Sequence, residues 1–196
     1  MKNHEQEFAV VSRQTALGNL GIGVANTVAF VFTRSSAQLA DGVHGVLDSV
    51  AHLLHRSTHN AETVQMASRN SKKYQRIAGV AIAAGGLLTG YQAVDALQHP
   101  EAHVVPIALV MELGSVGLNG YFWRKSTHTS GATNGRSHGI WHNATDTVLS
   151  SVAVAGIALN SLTEGYSDGA AGLIISVGSL ALAYNVATDS HEHHAE

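Results

Sequence analysis

Asp41, His44, Asp48, His52, His55 and His59 follow one another at intervals of three or four residues, and His138, His142 and Asp146 repeat the pattern further along. On a helix that turns 100° per residue, the first six fall within roughly 80° of one another and make one polar stripe. Each set contains a His-x-x-x-Asp pair, His44 with Asp48 and His142 with Asp146. Neutral imidazole nitrogens and carboxylate oxygens ligate borderline divalent metals, and two of each suit tetrahedral Zn²⁺. The four-residue spacing matters because it puts both side chains of a pair on one helix face. Interhelical hydrogen bonding explains one such pair cheaply but two matched pairs poorly. His44, Asp48, His142 and Asp146 are therefore the candidate metal ligands, with Asp41, His52, His55, His138 and Glu112 as candidate supporting or pathway residues.

The elements that carry these residues are apolar. Stretches 14–33, 77–94 and 169–188 contain no charged residue, and 35–55, 102–123 and 137–163 contain only one or two acids each. A hydrocarbon core of ~30 Å needs about 20 helical residues, so the chain offers six candidate transmembrane helices. If the N-terminus is cytoplasmic, every Lys and Arg except Arg34 falls on the inner side, which is the bias membrane proteins show. The expected fold is all-α and polytopic, with six transmembrane helices and both termini cytoplasmic. Residues 1–12 form a cytoplasmic tail, 13–188 the membrane domain, and 189–196 a His-rich cytoplasmic tail. The polar, basic segment 57–76 reads as a solvated inner loop, and the bacterial inner (plasma) membrane is the expected location.

Composition removes several classes of function. Charged residues are only 13% of the chain and apolar residues 45%, which excludes disorder for its body. The net charge of −3 provides no basic footprint for nucleic acid, and the absence of Cys removes disulfides, thiol catalysis and iron–sulfur ligation. Neither a Gly-x-Ser-x-Gly elbow nor a phosphate-binding Gly-x-x-x-x-Gly-Lys loop occurs. No organic cofactor is implied, and a direct use of ATP is not expected. Gly86-Leu-Leu-Thr-Gly90 has the small-xxx-small form of close helix contacts in lipid, while Asn19, Asn26 and Asn119 read as interhelical hydrogen-bonding groups.

The stripes also carry a resemblance. Leu39-Ala-Asp41-Gly-Val-His44-Gly-Val-Leu-Asp48 resembles the second helix of the cation diffusion facilitator family. His142-Asn-Ala-Thr-Asp146 resembles that family's fifth helix, and Asp168-Gly-Ala-Ala-Gly-Leu-Ile-Ile-Ser its last, with Gly169 in place of a proline. The resemblance covers roughly 12–188. It implies a homodimeric carrier that exchanges a divalent cation, most simply Zn²⁺, for protons, with His44, Asp48, His142 and Asp146 as its site. Cd²⁺, Co²⁺, Ni²⁺ and Fe²⁺ are further candidate ions. Two departures are visible: no ferredoxin-like cytoplasmic domain follows Thr188, and the segment 124–137 is not the His-rich loop of many zinc-carrying members.

The function expected is thus efflux of a divalent cation from the cytoplasm by alternating access, coupled to protons. The alternatives are a membrane metalloenzyme, either a histidine-box oxygenase or a hydrolase, and a metal-binding partner of a full-length carrier that does not itself transport. Metal flux into proteoliposomes separates the first from both others.

Overall fold

The computed structural model describes the backbone of residues 2–59, 64–100, 105–129 and 134–188, with side chains for 10–50, 73–128 and 143–188 apart from Ser12, Tyr74 and 101–104. Among the described residues every regular element is helical: α1 (Lys2–Thr33), α2 (Ser36–His59), α3 (Val64–Gln98), α4 (Val105–Thr129), α5 (Asn134–Ala158) and α6 (Tyr166–Thr188). The number of helices matches the number of apolar stretches, but some limits differ. The segment 57–76, expected as a loop, is helical up to His59 and again from Val64. Its Lys and Arg residues favour helix as readily as Leu does, so polarity there marked a helix end in water and not a loop. The stretch 137–163 is helical only to Ala158, because the chain then turns through Glu164 and Gly165, both at positive φ. Residues 2–12, expected as a tail, continue α1 as helix, and 189–196 lie outside the described residues.

The distribution of side chains is the reverse of a water-soluble bundle. Val28, Phe32, Val80, Leu87, Leu88, Val110 and Val177 are exposed, while Asn26, Asp48, Glu112, Asp146 and Asp168 are buried. Apolar surface on this scale belongs in hydrocarbon, where polar groups must turn inward to find partners. Among the described residues, four helical segments are long and apolar enough to cross a bilayer: Arg13–Thr33, Gln75–Gln98, Val105–His128 and Tyr166–Thr188. The chain is an integral membrane protein. Helices α2 and α5 carry the two polar stripes, and the described side chains cover only 36–50 and 143–158 of them. Both have 24 or more residues, or about 36 Å of helix, and both pack inside the bundle. Helix α2 touches α1, α3, α5 and α6, and α5 touches α2, α4 and α6.

Close approach of the backbones sets which residues can meet. A Cβ built on Gly23 of α1 would lie 2.7 Å from the Gly42 carbonyl oxygen, and one on Gly42 would lie 2.8 Å from the Thr27 nitrogen. Only glycine fits this crossing, and it draws Asn19 and Asn26 of α1 onto the acidic face of α2. The Gly86–Gly90 motif is used in the same way, with Gly86 against the Ser176 carbonyl and Gly90 against the Ser176 side chain. There α3 and α6 are close enough for Thr89 and Ser176 to share a hydrogen bond of 2.9 Å.

Candidate cation site

Ser35 and Ser36 begin α2, and the register of the whole stripe is set at that end. Asp168, fully buried at the start of α6, accepts from the Ser36 backbone N–H at 2.6 Å, from Ser36 Oγ at 2.9 Å and from Ser35 Oγ at 2.6 Å. A carboxylate there satisfies an orphan donor of α2 and faces the positive end of its dipole, although it comes from another helix. Gly172 one turn on lets α6 lie against Ser36, since a Cβ would stand 3.0 Å from it. The Asp168 motif, which the sequence offers only as a resemblance, is physically a cap in trans.

With α2 so placed, His44 and Asp146 come together from α2 and α5. The His44 Nε2 lies 3.2 Å from Asp146 Oδ1, and both residues are buried. The other ring nitrogen, Nδ1, lies 2.9 Å from Ser179 Oγ on α6, and that hydroxyl donates to the Ile175 carbonyl at 3.0 Å. If the Ser179 hydrogen goes to Ile175, its oxygen is free to accept from Nδ1–H, and a proton or a metal ion can then sit between Nε2 and the Asp146 carboxylate. Asn19 of α1 holds the carboxylate by donating from Nδ2 to Asp146 Oδ2 at 3.0 Å.

Asp48 is buried one turn along α2, near enough for its charge to act on His44. The fourth candidate, His142, stands on α5 one turn before Asp146, but its side chain lies outside the described residues. The same holds for His52, His55 and His138. Among the described residues, no three His, Asp or Glu side chains are gathered in ligating geometry. What the structure assembles is the His44–Asp146 pair, with Asp48 on the same face.

Asp41 and Glu112 belong to a second cluster toward the end of the bundle where α2 and α6 begin. Ser150 of α5 donates to Asp41 Oδ1 at 3.0 Å, and Asn26 of α1 donates to Asp41 Oδ2 at 3.3 Å and to Ser115 Oγ of α4 at 3.0 Å. Asn119 of α4 donates to Ser150 Oγ at 3.1 Å. The three asparagines are thus hydrogen-bonding groups between helices, as expected, with Asn19 in contact with a candidate ligand. A small cavity lined by Asn19, Asp41, His44, Gly45, Asn119 and Asp146 joins the two clusters.

Sequence reasoning missed Ser115, Ser150 and Ser179. Serines are common in apolar helices and bond to their own helix, as Ser115 does to the Met111 carbonyl at 3.3 Å. Nothing in spacing along one helix distinguishes those that also reach across. Their signal is visible only once a stripe on a facing helix is known.

No curated protein matches the chain. The family model described as the cation efflux transmembrane domain matches residues 74–192, which include Glu112, the His142–Asp146 pair and Asp168. That match covers more than half of the chain, and the chain belongs to the cation efflux transmembrane domain family.

Proposed function

We propose that the protein exports a divalent cation, Zn²⁺ first among them, from the cytoplasm in exchange for protons. Membership of the family makes it a membrane carrier of metal cations and not an enzyme. The observation that carries the finer reading is the facing of His44 Nε2 and Asp146 Oδ1 at 3.2 Å. Two ligands about 2.05 Å from a tetrahedral Zn²⁺ stand about 3.3 Å apart, so the pair already has the spacing of one edge of such a site. Asp48 and His142 complete the four ligands. The same place takes a proton when no metal is there, because metal binding needs a neutral imidazole and an ionised carboxylate. Competition of the two cargoes for one place couples their flows.

In this reading all six helices cross the membrane with both termini cytoplasmic, and residues 13–188 form the transport domain between the tails 1–12 and 189–196. Alternating access exposes the site to either side in turn. The carrier is a homodimer in the bacterial inner membrane. Zn²⁺ uptake into vesicles bearing purified protein, with an acid interior, tests the proposal. Saturable uptake that collapses when the pH gradient is dissipated supports it; uptake indifferent to the gradient refutes the coupling.

A further inference from the structure

Glu112 lies in the middle of α4 with no exposed surface, and neither of its carboxyl oxygens meets an N–H or O–H donor. The Asp41 carboxyl of α2 lies within reach of it across the bundle. Their juxtaposition is fixed independently by the chain of bonds around them. Ser115, one turn after Glu112, accepts from Asn26, which also donates to Asp41. The third acceptor without a donor in this cluster is Asn26 Oδ1.

Two buried carboxyls brought side by side with no donor between them are stable only if they hold a cation. Two carboxyls in contact hold one proton in common, since both cannot ionise side by side. The other titratable groups near the pair are His44 on α2, Asp146 on α5 and Asp168 on α6. Helix α1 presents the neutral Asn19 and Asn26. Among the described residues no Lys or Arg stands with these neighbours, so the charge this cluster can recruit is a proton.

We infer that Asp41 and Glu112 form a carboxyl pair that holds one exchangeable proton, separate from the His44–Asp146 cation site and linked to it. Asp41 is three residues from His44, about 4.5 Å along the helix axis. A divalent cation at His44 and Asp146 repels a proton held at that range and favours the ionised pair. Loading of the cation therefore expels the proton, and departure of the cation lets it return. In the proposed orientation the pair lies on the outer side of the site, where protons enter as the cation leaves. This inference rests on the proposed cation–proton exchange but has a readout that does not depend on transport.

The test compares purified wild type with Glu112→Gln and Glu112→Asp. Infrared difference spectra at neutral pH follow the protonated-carboxyl band, and a pH indicator in weakly buffered solution counts protons released on addition of Zn²⁺. The wild type should show the band and lose it as Zn²⁺ binds. Glu112→Gln should lack the band and release about one proton fewer per metal bound. Glu112→Asp, which keeps the acid, should retain a shifted band, and it also serves if the glutamine variant does not fold. Identical spectra and identical proton counts in wild type and Glu112→Gln overturn the inference. So does a Glu112 band that Zn²⁺ leaves unchanged. If vesicle flux proves independent of the pH gradient, the exchange reading fails, yet the band still decides whether the pair holds a proton.

Discussion

His44 and Asp146, 102 residues apart in the chain, face each other across α2 and α5 with Nε2 and Oδ1 3.2 Å apart. If the pair is the proposed cation site, each of its two residues is needed to hold the ion. Asp146→Ala leaves the imidazole facing a void, and Asp48→Ala removes the second carboxylate. Each should reduce saturable Zn²⁺ flux at least about 100-fold while the protein still reaches the membrane. Ser151→Ala, on the exposed side of α5, is the control. Normal flux in both Asp variants would show that the site lies elsewhere.

In the proposed site, Ser179 and Asn19 would act on the cation through His44 and Asp146. Ser179→Ala removes the hydroxyl hydrogen-bonded to His44 Nδ1, and Asn19→Ala frees one carboxylate oxygen of Asp146. Groups that orient metal ligands in this way are commonly worth 10–100-fold in affinity, so each variant should bind Zn²⁺ about 10-fold more weakly by calorimetry. Equal affinities in wild type and both variants would show that neither residue orients the proposed ligands.

The pH dependence of binding follows from the ligand types. An imidazole ordinarily titrates near 6.5 and an aspartate near 3.9, so protons compete with metal chiefly at the histidines. Apparent Zn²⁺ affinity should fall as pH drops from about 7.5 to about 5.5, the direction in which His44 gains a proton. In His44→Asp that slope should become shallower, with preference moving toward Mn²⁺ or Cd²⁺. A slope and an ion preference both unchanged would remove His44 from the site.

Asp168 supports α2 and not the cation. Asp168→Ala strands the Ser36 backbone N–H and the Ser35 hydroxyl in the interior, while the Ser36 hydroxyl keeps the Asp168 backbone carbonyl, a loss of about 2–3 kcal/mol. Thermal unfolding in detergent should show it as a clear fall in midpoint, against no change for Ser161→Ala on the exposed turn. Asp168→Asn keeps one acceptor but turns an N–H₂ toward the same donors, and should recover only part of the loss. Full stability in Asp168→Ala would show that α2 needs no cap from α6.

Orientation can be read by labelling. Cysteines placed at His99 and Ser161, both exposed, should react with an impermeant reagent from outside, and one at exposed Lys73 should not. Gly165 is unsuitable because its φ of 100° disfavours any side chain. Outside labelling at Lys73 in intact cells would invert the proposed topology.

The sequence by itself determined that the chain is helical, how many helices it forms, and which face of α2 is polar. These follow from properties local to a helix: the length of apolar runs, the 100° turn per residue, and the cost of charge in hydrocarbon. It also singled out His44 and Asp146 as members of matched pairs. The tertiary structure alone decided what each polar group meets. Asp41 stands on the same stripe as His44, yet it faces Asn26, Ser150 and Glu112 while His44 faces Asp146 and Ser179. Periodicity along one helix cannot divide a stripe in this way. The division depends on where neighbouring backbones cross, which here is set by Gly23 and Gly42 at one contact and by Gly172 against Ser36 at another. Residues without a side chain leave no mark in a hydropathy pattern, and only the packed bundle shows which partners they bring within reach.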